Sequence, residues 1–186
     1  FLLNRSSDLS FTHNAIWTSK EFLQAGFRNV ILKGQGNALL YPDPLIRHPG
    51  DVDVWLEGSR EKIIGYVRKF FPNISVQWVE IDFPIKKGCS IEVHTIPSFM
   101  YNPFDNRRLK RYFERHAEEM FSNTPISTED GEMRVPPLQV NMLFQLTHIY
   151  RHLFNEGIGL RQIMDYYYLL QCKDVPLHIN ETARMM

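Results

Sequence analysis

Gly50-Asp51-Val52-Asp53-Val54-Trp55-Leu56 alternates acid with valine and then turns apolar, the pattern of a β-strand over residues 51–56. In a strand, side chains at i and i+2 share a face. Asp51 and Asp53 are therefore expected on one face, with Val52 and Val54 packed on the other. Two carboxylates that close repel each other, and a strand tolerates them when a cation sits between them. Magnesium answers that need, because it takes hard oxygen ligands from few carboxylates and shares the rest with water and substrate phosphates. The plainer reading leaves both acids on the solvent side of an edge strand. The valine pair argues against it, since it marks a strand with one buried side.

Working upstream, Asn29-Val30-Ile31-Leu32-Lys33 reads as a short buried strand that stops at Gly34. Lys33-Gly34-Gln35-Gly36-Asn37 then makes a glycine turn before a helix or turn over 36–41, ended by Pro42 and Pro44. Small residues there let backbone N–H groups approach phosphate oxygens. The same glycines also suit a tight turn with no ligand at all. A helical stretch is expected around Ser19–Ala25, with Ser19 as its cap.

Downstream, residues 61–71 have helical spacing, 76–83 are β-rich, and Ser90-Ile91-Glu92-Val93-His94 is another alternating strand. If that strand lies beside the Asp51 strand, Glu92 becomes a third converging acid, with Glu80 and Asp82 as rivals for the place. Three such acids can hold one or two metal ions, or hold one and serve as base for an attacking hydroxyl.

The whole chain has 186 residues, 44% hydrophobic and 13% aromatic, which is ample for a packed core and excludes a disordered class. Lys+Arg and Asp+Glu both number 21, so a protein that coats polyanions is not expected. Cys89 and Cys172 cannot build a disulfide framework, and a reducing cytoplasmic setting is the expectation. No apolar run is long enough for a membrane helix. The chain starts at Phe1 and reads as a fragment. Strands mixed with helices occupy residues 1–100 and helices dominate 101–186, so an α+β class is expected, as two regions or one continuous domain.

Two other phosphate-binding patterns compare with this stretch. Gly34-x-Gly36 begins a dinucleotide fingerprint, and Asp53 follows about 20 residues on as that motif asks. Its third glycine position is Leu39, however, and one acid on a ribose does not call for a same-face pair. The P-loop pattern also fails, because no Gly-Lys-Ser/Thr follows.

The combination Leu32-Lys33-Gly34-Gln35-Gly36, Tyr41-Pro42, Arg47 and Gly50-Asp51-Val52-Asp53 resembles the nucleotidyltransferase superfamily with the DNA polymerase β-like fold. More narrowly it resembles an "uncharacterised nucleotidyltransferase" family of bacterial proteins. Ile91-Glu92-Val93-His94, His148-Ile149-Tyr150-Arg151-His152 and Gly157-Ile158-Gly159-Leu160-Arg161-Gln162 extend the likeness to roughly residues 20–172. Gln35 departs from the Gly or Ser of many members, and the gap from the glycine turn to Asp51 is a little long.

The resemblance implies an α+β fold: a small mixed-sheet core, flanking helices and a helical C-terminal half. It implies transfer of a nucleoside monophosphate from a nucleoside triphosphate to a hydroxyl acceptor, with release of pyrophosphate. Mg²⁺ or Mn²⁺ would be held by Asp51, Asp53 and Glu92, with Glu92 completing the metal site or taking the proton. Gly34, Gln35 and Gly36 would donate to phosphate oxygens, with Lys33 beside them and Arg47 as a further phosphate partner. The rival from another class is a non-catalytic nucleotide- or partner-binding module on the same fold.

In the helical half, helices are expected over 104–121, 138–154 and 160–172, with a loop over 122–136 that turns at Asp130-Gly131. Leu138, Met142, Leu146, Ile149 and Leu153 form one apolar stripe, and Asn141, Gln145, His148 and His152 form a polar stripe that flanks it. The polar stripe is expected to line a nucleotide or acceptor pocket, with His148 and His152 binding phosphate, base or acceptor. Zinc is disfavoured there, since no Glu follows the first His. Arg161 and Asp165 read as a structural i, i+4 pair. Arg107, Arg108, Lys110, Arg111 and Arg115 read as a solvated face, and a nucleic-acid acceptor is disfavoured. The nucleotide, the acceptor and the oligomeric state are open.

Overall fold

Hydrophobic alternation sorts the strands into a sheet with two differently used faces. The structure is a computed structural model that describes residues 5–173 apart from Pro49 and Glu156, and beyond them Val175, Asn180, Thr182 and Arg184. In chain order come α1 (Arg5–Gln24), β1 (Asn29–Ile31), α2 (Gln35–Ala38), a 3-10 turn (Pro44–Ile46), β2 (Val52–Leu56) and α3 (Arg60–Phe70). Then follow β3 (Glu80–Asp82), β4 (Ile91–His94), α4 (Pro103–Ser122), β5 (Ile126–Thr128), β6 (Gly131–Met133), α5 (Leu138–Asn155) and α6 (Leu160–Leu170).

Four strands form a mixed sheet in the order β1-β2-β4-β3. β1 pairs antiparallel with β2, β2 parallel with β4, and β4 antiparallel with β3. This is the α+β arrangement expected from the sequence. A dinucleotide-binding sheet would need β1 and β2 parallel, so that alternative falls.

Strand alternation divides the core. Val52, Val54, Leu56, Ile91, Val93 and Ile81 point to one face, where Ile16, Phe22, Ile63 and Val67 of α1 and α3 cover them. Val30, Leu32 and Trp55 belong to the opposite face, where Leu109, Phe113 and Phe121 of α4 meet Val140, Leu143 and Phe144 of α5. Asp53 and Glu92 lie on that second face by the same alternation.

Several local expectations shift. α1 begins at Arg5, well before Ser19, and Ser19 is buried inside the helix, where its carbonyl accepts from Asn29 Nδ2 at 2.9 Å. Residues 76–79 lie outside β3, and Arg60 donates to the carbonyls of Gln77 and Trp78 at 2.8 and 2.7 Å. The loop over 122–136 contains the β5–β6 hairpin, turning at Glu129-Asp130. Met133 from that hairpin is buried in the core under α1. On α5 the apolar stripe is not the whole contact surface. Val140, Leu143 and Phe144 are buried as well as Met142, whereas Leu153 is 56% exposed. The first half of the helix packs toward the sheet through Val140, Leu143 and Phe144 and toward α6 through Met142.

Two caps behave as their chemistry dictates. Ser59 Oγ accepts from Lys62 N at the start of α3, and Asn102 Oδ1 accepts from Phe104 N at the start of α4, with Pro103 in the first turn. The five basic residues of α4 are exposed, with Lys110 paired to Glu114 at 3.7 Å. That is the solvated face the sequence suggests. Among the described residues no helix is long and apolar enough to cross a membrane.

Candidate active site

The parallel pairing of β2 and β4 sets Asp53 directly opposite Glu92, and Trp55 opposite His94. One ligand atom each from Asp53, Glu92 and His94 lie within 4.8 Å of one another. Asp53 is 1% exposed and ion-pairs with Lys33, whose Nζ is 2.8 Å from Oδ1. His94 Nε2 lies 3.0 Å from the same oxygen, and Glu80 is 3.7 Å from His94. Asp53 Oδ2 is buried with no hydrogen-bonding partner.

The charges follow from this crowding. Burial alone would raise the Asp53 carboxyl, but the Lys33 ammonium and the His94 ring outweigh it and hold it well below the usual carboxylate range. Glu92 moves the other way. Burial, and then the Asp53 charge beside it, push its pKa up to about 9, so it carries a proton at neutral pH. Burial works against the Lys33 charge, yet Asp53 and Glu92 prevail and raise its pKa. A protonated Glu92 is the group able to donate to the orphaned Asp53 oxygen.

A polar cavity of about 340 Å³ opens over these residues. Lys33, Gly34, Arg47, Asp51, Asp53, Glu92, His148 and His152 all line it. Asp51 stands one residue before β2, exposed, and is not among the three whose ligand atoms cluster. Gln35 and Gly36 do not line the cavity. A Cβ on Gly36 would sit 2.9 Å from Val135 Cγ1, so this glycine permits close packing of α2 on the chain after β6. Gly34 has φ +68, and a Cβ there would lie 3.1 Å from the Asp51 carbonyl. The glycine turn therefore lets two chain segments meet at the edge of the cavity.

Arg47 is held by a partner the sequence did not suggest. Its Nε and Nη2 donate to the two carboxylate oxygens of Asp165 at 2.8 and 2.9 Å. Tyr41 Oη adds a bond to Asp165 at 2.7 Å, and Asn37 Nδ2 one at 3.3 Å. Asn141 then donates to Asn37, and Gln145 to Asn141. This buried network ties the glycine turn to α5 and α6. Arg161, expected to pair along α6, reaches over Gly50, where a Cβ would be 2.7 Å from its Nη1.

On α5, Gln145, His148 and His152 of the polar stripe line the cavity, while Asn141 serves the buried network. His148 is 7% exposed and meets the His152 ring edge-on at 4.3 Å. Burial first, and then the Lys33 charge, hold its pKa well below that of a free imidazole.

Sequence reasoning missed His94, Arg151 and Arg161 as cavity or cluster residues. The signal for His94 was present, because Glu92 and His94 alternate as Asp51 and Asp53 do. Arg151 lines the cavity with its guanidinium over the Phe99 ring at 4.6 Å, a partner 52 residues away that spacing cannot show.

A mixed four-stranded sheet brings an acid from each of two parallel strands to one polar cavity, and the fold is of the nucleotidyltransferase-like class. The chain belongs to the family of uncharacterised nucleotidyltransferases, whose sequence pattern it matches over residues 2–181. Its fold is similar to that of an antigenic nucleotidyltransferase-like protein from Paracoccidioides brasiliensis, at 14% identity and a TM-score of 0.50, over 96% of this chain and 88% of that one. No curated protein matches it.

Proposed function

We propose that the chain is a divalent-metal-dependent nucleotidyltransferase that moves a nucleoside monophosphate from a nucleoside triphosphate to a hydroxyl acceptor and releases pyrophosphate. The observation that carries the reading is Asp53 opposite Glu92 in the parallel β2–β4 pair, in a polar cavity that Lys33, Arg151 and Arg161 also line.

The donor set fits a divalent ion. Apart from Glu92, Asp53 Oδ2 has no hydrogen-bonding partner, a ring nitrogen of His94 lies close by, and Asp51 lines the same cavity. Asp53 and Glu92 would hold Mg²⁺ or Mn²⁺, with Asp51 as a further oxygen donor. Such an ion polarises the phosphoryl oxygens and lowers the pKa of the attacking hydroxyl. Lys33, Arg151 and Arg161 supply positive charge for the phosphates, while His148, held neutral, offers a hydrogen bond without adding charge. Glu92, once deprotonated, can accept the acceptor hydroxyl's proton. The cytoplasm is the proposed location.

One observation favours the rival binding module. Lys33 already neutralises Asp53. The two readings separate in one assay, which follows pyrophosphate release from each of the four ribonucleoside triphosphates with Mg²⁺ or Mn²⁺. It is run with sugar, polyol, protein and RNA acceptors, on the wild type, Asp51→Asn and Glu92→Gln. Turnover that falls about a hundredfold or more in Glu92→Gln supports the enzyme. Nucleotide binding with no release for any acceptor class establishes the binding module instead.

A further inference from the structure

A second cavity, of about 710 Å³, lies on the same side of the sheet, past the C-terminal ends of β2 and β4 and beneath α4. It shares no lining residue with the polar cavity. Trp and Phe side chains line it together with charged residues, whereas the polar cavity is lined by no Trp or Phe. Trp55, Phe113 and Phe121 are nearly fully buried there, with the Trp55 and Phe121 rings 4.5 Å apart. Trp78 stands at the mouth, 66% exposed.

Several polar and charged groups around this cavity already have hydrogen-bonding or ionic partners. Arg60 donates to the carbonyls of Gln77 and Trp78 and to Thr95 Oγ1. Lys110 faces Glu114, and Arg28 bridges Glu57 and Glu118. One polar group is left over. Ser98 lines the cavity, is 4% exposed, and its Oγ has no hydrogen-bonding partner. A buried hydroxyl without a partner is destabilising, so a ligand that satisfies it gains specificity as well as affinity.

The geometry points to a second binding site, for an uncharged small molecule that carries an aromatic ring and one hydrogen-bonding group. The ring lies among Trp55, Phe113 and Phe121, the polar group meets Ser98 Oγ, and Trp78 closes over the solvent side. The volume suits a drug-sized molecule. A large apolar wall with one convergent polar atom favours this class over an anion, which would also meet the carboxylates of Glu57, Glu114 and Glu118. The inference stands apart from the proposed transferase activity.

The test uses N-phenyl-1-naphthylamine, a neutral aromatic probe with one N–H. It is titrated into the whole chain and followed by energy transfer from tryptophan. Saturable one-to-one binding is expected. Trp78→Ala removes only an exposed side chain and should weaken binding at least fivefold. Ala117→Phe, which fills the cavity from α4, should abolish saturable binding, and Ser98→Ala should weaken it about threefold or more. Circular dichroism checks that each variant is folded. The inference is overturned if the wild type shows no saturable binding. It is also overturned if Trp78→Ala and Ala117→Phe bind as the wild type does, or if the anionic 1-anilinonaphthalene-8-sulfonate binds more tightly than the neutral probe.

Discussion

Replacing Lys33 by Met tests the electrostatics of the candidate site without touching an acid. The Lys33 side chain is 18% exposed and its Nζ lies 2.8 Å from Asp53 Oδ1, while the Asp53 side chain is 1% exposed. Removing one partner of a buried pair leaves an uncompensated charge and costs about 3–5 kcal/mol. Partial exposure of Lys33 places the expected loss near the lower end, about 3 kcal/mol. Met keeps the length of the aliphatic stem, so most of the loss is electrostatic. The Lys33→Met, Asp53→Asn double variant should recover about 1–3 kcal/mol relative to the sum of the singles. A divalent ion supplies the missing positive charge. At a hundred times its dissociation constant, Mn²⁺ should restore about 2.7 kcal/mol to Lys33→Met. It should stabilise the wild type less, because there the ammonium holds Oδ1. Urea denaturation with and without Mn²⁺ measures all of these quantities. A loss below about 1 kcal/mol in Lys33→Met, or an equal effect of Mn²⁺ on both proteins, would refute the reasoning.

Three further perturbations read other parts of the molecule. His148 is held neutral in the folded state, whereas the unfolded chain takes up a proton below the ordinary imidazole pKa of 6.5. The unfolded state then binds more protons, so stability falls as pH drops through 6.5, and His148→Phe should flatten that slope in denaturation curves taken from pH 8 to 5. Asp165→Asn breaks the bidentate bond from buried Arg47 and should cost about 3–5 kcal/mol by chemical denaturation. A cost within error of zero would mean that the pair is not held. Gly36→Ala drives a Cβ to 2.9 Å from Val135 Cγ1 and should cost about 1–3 kcal/mol, while adding Val135→Ala should return most of it. No rescue in the double variant would place the strain elsewhere.

The parts of the fold that could be read beforehand are those with short-range causes. Asp53 and Glu92 alternate with apolar residues on their own strands, so their shared face follows from a period of two. Whether those strands would be neighbours was a conditional, and the β2–β4 pairing resolves it. The polar stripe of α5 was legible from its helical period. What stayed hidden depends on distant chain. Arg47 and Asp165 are 118 residues apart, and a nearer partner for Asp165, Arg161, offered itself four residues away. Competition among cations for one carboxylate is settled by burial, because a desolvated bidentate pair gains more from its geometry than an exposed helical one. Gly36 shows the same limit from the other side. The sequence shows its place in a glycine turn but not that the atom nearest to a side chain there would belong to Val135.

One register explains why a charged cavity and an aromatic one share a sheet face. Asp53 and Trp55 are two residues apart on β2, Glu92 and His94 two apart on β4, and the strands run parallel with Asp53 opposite Glu92. Both strands therefore step together from acid to ring within a single period, about 7 Å along the strand. His94 sits at the step, its ring nitrogen on Asp53 behind it and its own cross-strand partner Trp55 alongside. A one-residue slip between the strands would turn Glu92 to the α1–α3 face, among the apolar side chains around Val52 and Val54. The buried valines thus hold the carboxylates in line. Changes to Val54 or Val93 large enough to shift the pairing should weaken metal binding even though neither side chain faces the cavity.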